Sequence, residues 1–145
     1  MKITILDAKP DEEDEIIVKC HYIDDNLSFI INSLKNGSSK MNFIKDGKIV
    51  LVDKSEILYF ESVDDRSFAY TANDVYETKL KLYMIEDEVP ATRFFRANKA
   101  MIVNISKIES LSPAFGGRFE AVLKSGYRVM VSRAYVPKLK ELLGL

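Results

Sequence analysis

The fold turns on the stretch Phe94-Phe95-Arg96-Ala97-Asn98-Lys99-Ala100-Met101-Ile102-Val103-Asn104. Two aromatics and an arginine precede a polar Asn-Lys step, and a short apolar strand follows at Ile102-Val103. The stretch lies in a segment, residues 89–145, that carries ten Lys/Arg and only three Asp/Glu; residues 1–88 carry eleven and nineteen. The net charge of −1 is therefore the sum of an acidic end of −8 and a basic end of +7. The basic residues are spread through apolar segments, whereas a disordered arm would gather them in one block. A folded basic surface is the footprint of a polyanion partner, because Lys and Arg neutralise phosphates and release counterions. A solvated basic face with no partner is the plain alternative.

Composition narrows the remaining classes. At 145 residues with 47% apolar content, the chain is one domain, or one domain with a small extension, with enough apolar material for a core. No apolar run approaches the ~20 residues of a membrane span. The opening MKITILDAKPDEEDE turns acidic without a long apolar core, so it does not read as a secretory signal. Cys20, the only cysteine, excludes an internal disulfide and fits a reducing cytoplasm; within IIVKCHY it is expected to be buried in a strand. With one His and one Cys adjacent, no conventional zinc site can be assembled, because neighbours on a strand point to opposite faces. Phosphate-cradling glycine patterns are absent. The carboxylate clusters at 11–15, 24–25, 64–65 and 86–88 sit in polar segments, where solvated loops and helix ends account for them. The chain is therefore read as no enzyme, with no cofactor and no small-molecule substrate.

Outward from residues 94–104, periodicity gives the elements. Residues 2–6 alternate and 16–22 are rich in β-branched side chains, predicting two strands. Ile23, Leu27, Ile30, Ile31 and Leu34 then fall at helical spacing, with Asp24 or Asp25 able to cap the start and Gly37 offering a left-handed stop. Gly37-Ser38-Ser39 reads as a joint. Beyond it, Asp46-Gly47 joins 41–45 to 48–52 as a hairpin, since both residues tolerate positive φ. Further strands are expected at 57–63, 68–72, 75–78, 108–111, 118–123 and 127–131. Helices are expected at 80–88, closed by Pro90, and from about Ser132 to Leu143, with Pro137 awkwardly inside it.

Three ordered motifs resemble the LytTR DNA-binding family. They are the 94–104 stretch; Asp53-Lys-Ser-Glu-Ile-Leu-Tyr-Phe-Glu-Ser at 53–62; and Gly-Tyr-Arg-Val-Met-Val-Ser-Arg-Ala-Tyr at 126–135, which is similar to the family's last strand and its "(V/I)SR.Y" approach to the final helix. The likeness covers about residues 41–145. It implies an α+β, mostly β fold: an elongated antiparallel LytTR-type domain over 39–145 with a C-terminal helix, preceded by a small β-β-α extension over 1–38. It also implies a transcriptional regulator that reads the major grooves of duplex DNA through loops. Carried over by position, the reading loops are Asp64-Asp65-Arg66-Ser67, Ala97-Asn98-Lys99 and Ser132-Arg133-Ala134. The DNA-binding candidates are thus Asn98, Lys99, Arg133, Arg66, Ser67 and Ser132, with Lys138 as a phosphate contact. Arg, Lys and Asn suit the task because they match purine edges.

The chain departs from the family pattern where many members have His at Asn98 and a second base at Ala134, and its first loop carries two acids. Arg96 is open between an ion pair and a phosphate contact, and Tyr135 reads as core. Most members carry a phosphoacceptor receiver of about 120 residues. Here residues 1–38 stand in its place, as a dimer or regulatory surface, and no aspartate ends a long parallel-sheet strand. The resemblance implies the compact subclass of cytoplasmic regulators, often held inactive by a small membrane protein; one domain with three loops reads roughly one short half-site, so a homodimer on DNA is expected. The competing reading is a protein-interaction module that docks a membrane or cytosolic regulator without touching DNA. A third, a small ligand sensor, rests only on strand aromatics that ordinary core packing explains.

Overall fold

The computed structural model describes residues 1–36 and 39–145, with backbone alone for Phe29 and residues 32–36. The chain divides into two compact units, Met1–Gly37 and Ser38–Leu145. In the first, α1 spans Asp25–Asn36. Asp24 caps it: its Oδ1 accepts the Leu27 N–H at 2.8 Å, satisfying one of the donors a helix start leaves free. The stop expected at Gly37 and the Gly37-Ser38 part of the joint lie outside the described residues.

The two strands expected before α1 are not formed. Residues 2–6 and 16–22 join no ladder, and Ile3, Ile5, Ile16 and Ile17 are exposed. Alternation makes a segment fit for a sheet, but a strand exists only when a neighbour takes its N–H and C=O groups, and two short strands alone are marginal in water. Cys20 follows the same correction: expected in a buried strand, it is exposed.

The second unit is built on a seven-stranded antiparallel sheet. Its strands are β1 (Lys40–Lys45), β2 (Lys48–Asp53), β3 (Tyr59–Val63), β4 (Arg66–Tyr70), β5 (Val75–Thr78), β6 (Phe94–Asn98) and β7 (Met101–Asn104), in the spatial order β2-β1-β5-β4-β3-β7-β6. Helix α2 (Leu82–Glu88) interrupts the chain between β5 and β6. A second sheet follows, β8 (Ile108–Pro113), β9 (Phe119–Leu123) and β10 (Arg128–Val131), and the chain ends in α3 (Val136–Leu143).

Asp46-Gly47 forms the predicted hairpin turn, with φ of 53° and 72°. Asp64-Asp65 makes the same kind of turn between β3 and β4, with φ of 50° and 62°. Aspartate is one of the few residues that tolerates this backbone, which gives the two acids a structural reason to be there. Pro137 falls in the first turn of α3, where a missing N–H costs nothing. A 310 turn, Arg133–Tyr135, separates Ser132 from α3, so the last helix starts four residues later than the sequence suggests.

The large sheet is covered on both faces near β3, β7 and β6, and the sequence alternates accordingly. Phe60, Phe94 and Ile102 pack with Ile57, Leu82 and Ile85 on the α2 side. Tyr59, Phe95, Met101 and Val103 point the other way and pack with Ala121, Leu123, Val129 and Val131 of the small sheet and Val136 and Leu139 of α3. The Phe94-Phe95 pair is thus split, one ring to each core, because successive strand residues face opposite ways. Tyr70, Tyr59 and Tyr127 stack at 4.4 and 4.7 Å on the second side, and burial pushes the Tyr59 phenol well above its ordinary range.

Candidate nucleic-acid interface

Strand register gathers the candidate loops at one end of the domain. β3 pairs antiparallel with β7, so the turn after Val63 lies beside the turn before Met101; Ser62 N–H donates to the Ala100 carbonyl at 2.8 Å. β6 ends against the end of β10: the Ser132 N–H donates to the Ala97 carbonyl, also at 2.8 Å. The Asp64-Asp65 turn, the Asn98–Ala100 turn and the Ser132–Ala134 junction are therefore neighbours, although up to 70 residues of sequence separate them.

The central turn is held by two side chains. Asn98 Nδ2 donates to the Met130 carbonyl and its Oδ1 accepts the Ala100 N–H, both at 2.9 Å. Arg96 reaches over the same turn, with Nε donating to the Asn98 carbonyl at 3.0 Å and Nη2 to that of Lys99 at 2.8 Å. Its Nη1 pairs with Glu86 at the end of α2. Arg96, open between two roles in the sequence, is a structural clamp in this conformation. A β-bulge between Arg96 and Asn98 re-aims the strand here. What the clamp presents is Lys99, whose side chain is exposed.

Asn98 sits differently from the expectation that placed it as a base reader. Both ends of its amide are taken by the protein, so it joins β6, β7 and β10. Replacing Asn98 by alanine is expected to cost about 1–2 kcal/mol, lower the melting temperature and weaken binding to all DNA sequences alike. A melt unchanged within a degree, with binding lost on one preferred sequence alone, would return Asn98 to the bases.

Arg133 and Ala134 are exposed at the β10–α3 junction. Ser132 gives its carbonyl to the N–H groups of Tyr135 and Val136, at 2.9 and 3.2 Å, and its side chain makes no cap bond. Among the described residues neither Lys99 nor Arg133 forms an ion pair. Lys138 lies in the first turn of α3, 3.8 Å from Glu141 and half exposed. Tyr135 packs against the second core, as its reading predicted. It also lines, with Lys138, Arg96 and Glu86, an open cleft of about 260 Å³.

The first loop is shorter than expected. Only Asp64-Asp65 form the turn, while Arg66 and Ser67 belong to β4. Ser67 is buried, at 3% exposure, and does not offer its hydroxyl to a ligand. Arg66 holds Glu77 in a two-pronged pair, Nε and Nη2 each 2.7 Å from a carboxylate oxygen, and these hydrogen bonds keep the Glu77 carboxyl below its usual range. To contact DNA, Arg66 must give up that partner.

A fourth loop, between the strands expected at 108–111 and 118–123, stands at the same end. Phe119 pairs with Pro113 on one side and Val131 on the other, so residues 114–118 adjoin the Ser132 junction. Phe115 at its tip is 91% exposed. A Cβ on Gly117 would lie 2.9 Å from Arg133 Cδ, so the Arg133 stem crosses that glycine. An aromatic between proline and a glycine pair was the available signal, but its nearness to Arg133 depends on pairing no local pattern reveals.

The described residues contain no group of three or more His, Cys, Asp or Glu placed to hold a metal, and no helix long and apolar enough to cross a membrane. Helices α2 and α3 are separated by five strands, so they make no helix-turn-helix.

Comparison with known proteins agrees with this architecture. The family model described as "LytTr DNA-binding domain" matches residues 47–144. Sensory transduction protein LytT of Enterococcus faecalis is 36% identical over 101 residues, 69% of this chain and 41% of that protein. LytT of Bacillus anthracis is 35% identical over 95 residues, 66% and 39% of the two chains. The chain thus spans about two fifths of the length of these relatives. An HTH-type transcriptional regulator of Staphylococcus aureus is 27% identical over 147 residues, covering 100% of this chain and 99% of that one. Among solved structures, a LytTr DNA-binding domain from Bacillus cereus superposes with a TM-score of 0.70 at 26% identity, over 75% of this chain and all of that one. With the family model matching most of the chain and the same β architecture beneath it, this protein belongs to the LytTr DNA-binding domain family.

Proposed function

We propose that this protein is a transcriptional regulator that binds duplex DNA sequence-specifically through the loop end of its β domain. The observation that carries the reading is the convergence there of Lys99 and Arg133, both exposed, without ion pairs among the described residues, and linked through the Asn98 clasp. In this reading Lys99 and Arg133 enter major grooves and bond to base edges. Asn98 and Ser132 position them through the β6–β10 link. Arg66 is a secondary contact, held back by Glu77 and two neighbouring aspartates, and buried Ser67 serves the strand. Lys138 faces phosphate. The test is selection of duplexes from a random-sequence library by the full chain. Recovery of a defined motif supports the reading, and recovery of none overturns it.

Phosphate contacts make binding fall with salt. Lys138→Ala is expected to reduce the slope of log K against log[salt] by up to about one unit, the share of one neutralised phosphate. An equal slope on the same duplex removes Lys138 from the interface.

The protein acts as a homodimer, because one set of short loops reads too few base pairs to compete with genomic DNA. Residues 1–37 are the candidate surface for the second copy, or for a small membrane-protein inhibitor of this cytoplasmic regulator. Ile3, Ile5, Leu6, Ile16, Ile17 and Ile23 are all exposed there, more apolar surface than a solvated segment needs. The same observation favours the second reading, a protein-interaction module. Removing residues 1–37 is expected to abolish dimerisation in sedimentation and weaken operator binding at least ten-fold, the non-specific affinity staying within two-fold. An equally dimeric residue 38–145 fragment would place the contact elsewhere.

A further inference from the structure

The loop after β8 is built too firmly for a spacer. The Ala114 N–H donates to the Arg118 carbonyl at 2.8 Å and closes it, and Arg118 Nε donates to the Phe115 carbonyl at 2.9 Å. Gly116 and Gly117 have φ of 77° and 76°, a backbone pair that side chains other than glycine rarely adopt. The arrangement holds one large apolar ring in water, Phe115, at 91% exposure. A single exposed phenylalanine is ordinary on a protein surface. This one differs by its place, on a fixed turn whose Gly117 lies under the Arg133 stem, with the Arg118 guanidinium beside it.

We propose that Phe115 is a further specificity-determining residue, packing on the 5-methyl group of a thymine in the groove that Arg133 enters. The inference rests on the DNA-binding function proposed above. Duplex DNA is the occupant that fits, because the loop is continuous with the reading end and two basic side chains belong to it or cross it, Arg118 on the Phe115 carbonyl and the Arg133 stem over Gly117. Within a major groove the thymine methyl is the apolar feature a phenyl ring can read. Gly117 serves the same contact. With no Cβ, it lets the Arg133 stem cross the loop, so the ring and the guanidinium reach adjacent base pairs as one unit.

The experiment uses the full chain and the duplex it selects from the random library, with each thymine of one half-site replaced in turn by uracil, which lacks only the methyl. Phe115→Ala is expected to leave the melting temperature unchanged, since the ring has little to pack against. It should weaken binding to the selected duplex about four-fold, the worth of burying one methyl group. One uracil replacement should weaken the unaltered protein by the same factor and the Phe115→Ala variant not at all. Unchanged binding by Phe115→Ala overturns the proposal. So does a loss that adds to every uracil effect, which would place the ring on the backbone or on another protein. Failure of the unaltered protein to prefer its selected duplex over a scrambled one would instead defeat the DNA reading on which this rests.

Discussion

Replacing Arg133 by alanine is expected to weaken binding to the selected duplex about ten- to hundred-fold while changing binding to scrambled duplex by no more than a few-fold. A lost base contact of this kind costs ~1–3 kcal/mol, whereas a lost phosphate contact would act on all sequences alike. Lys99→Ala is expected to behave the same way. Both side chains are exposed at the ends of strands whose pairing does not involve them, so the melting temperature should hold. The check is a titration of each variant against both duplexes, beside a thermal melt. Equal losses on the two duplexes would move these residues from bases to backbone. No loss on either would remove them from the interface, leaving the family membership untouched.

The largest effect on stability is expected at Asn104, the last residue of β7. It is fully buried, and its amide bridges three partners: Nδ2 donates to the Ile57 carbonyl at 2.9 Å, and Oδ1 accepts from the Ser106 N–H at 3.1 Å and the Ser106 hydroxyl at 2.7 Å. The side chain thereby ties β7 to the segment leading into β3 and starts the 310 turn Ile105–Lys107. Asn104→Ala strips three bonds and leaves the Ile57 carbonyl buried without this partner, an expected cost of about 2–4 kcal/mol. For a unit of this size that is a fall in melting temperature on the order of 10 °C, readable by calorimetry. A fall of less than about 2 °C would show that another group takes over the Ile57 carbonyl.

Asn104 and Asn98 illustrate where local reading ends. Both stand in the 94–104 stretch, and both are polar residues beside an apolar strand. One is closed inside the domain and the other spans three strands near the surface. The difference lies in what faces them. Ile57, 47 positions back and just ahead of β3, takes the Asn104 amide, and β10, 32 positions on, meets Asn98. Arg66 is a similar case, since nothing near it in sequence announces Glu77, which only the β4–β5 pairing brings opposite.

The sequence by itself determined what rests on short range. Alternation placed most strands of the second unit, Asp46-Gly47 marked a turn at positive φ, and Asp24-Asp25 marked a helix start. Charge distribution set the basic loops apart, and three motifs in order named the family. Tertiary structure decided what depends on partners. Residues 2–6 and 16–22 have strand pattern but no strand, because no neighbouring chain satisfies their backbone. Ser67 has a loop-like neighbourhood but a buried place in β4. Phe115, one aromatic among many in the sequence, becomes an exposed ring on the loop that Arg133 crosses at Gly117, because strand pairing brings β9 and β10 together there. Local propensity is written residue by residue, but a site is made of residues that only long-range pairing brings together.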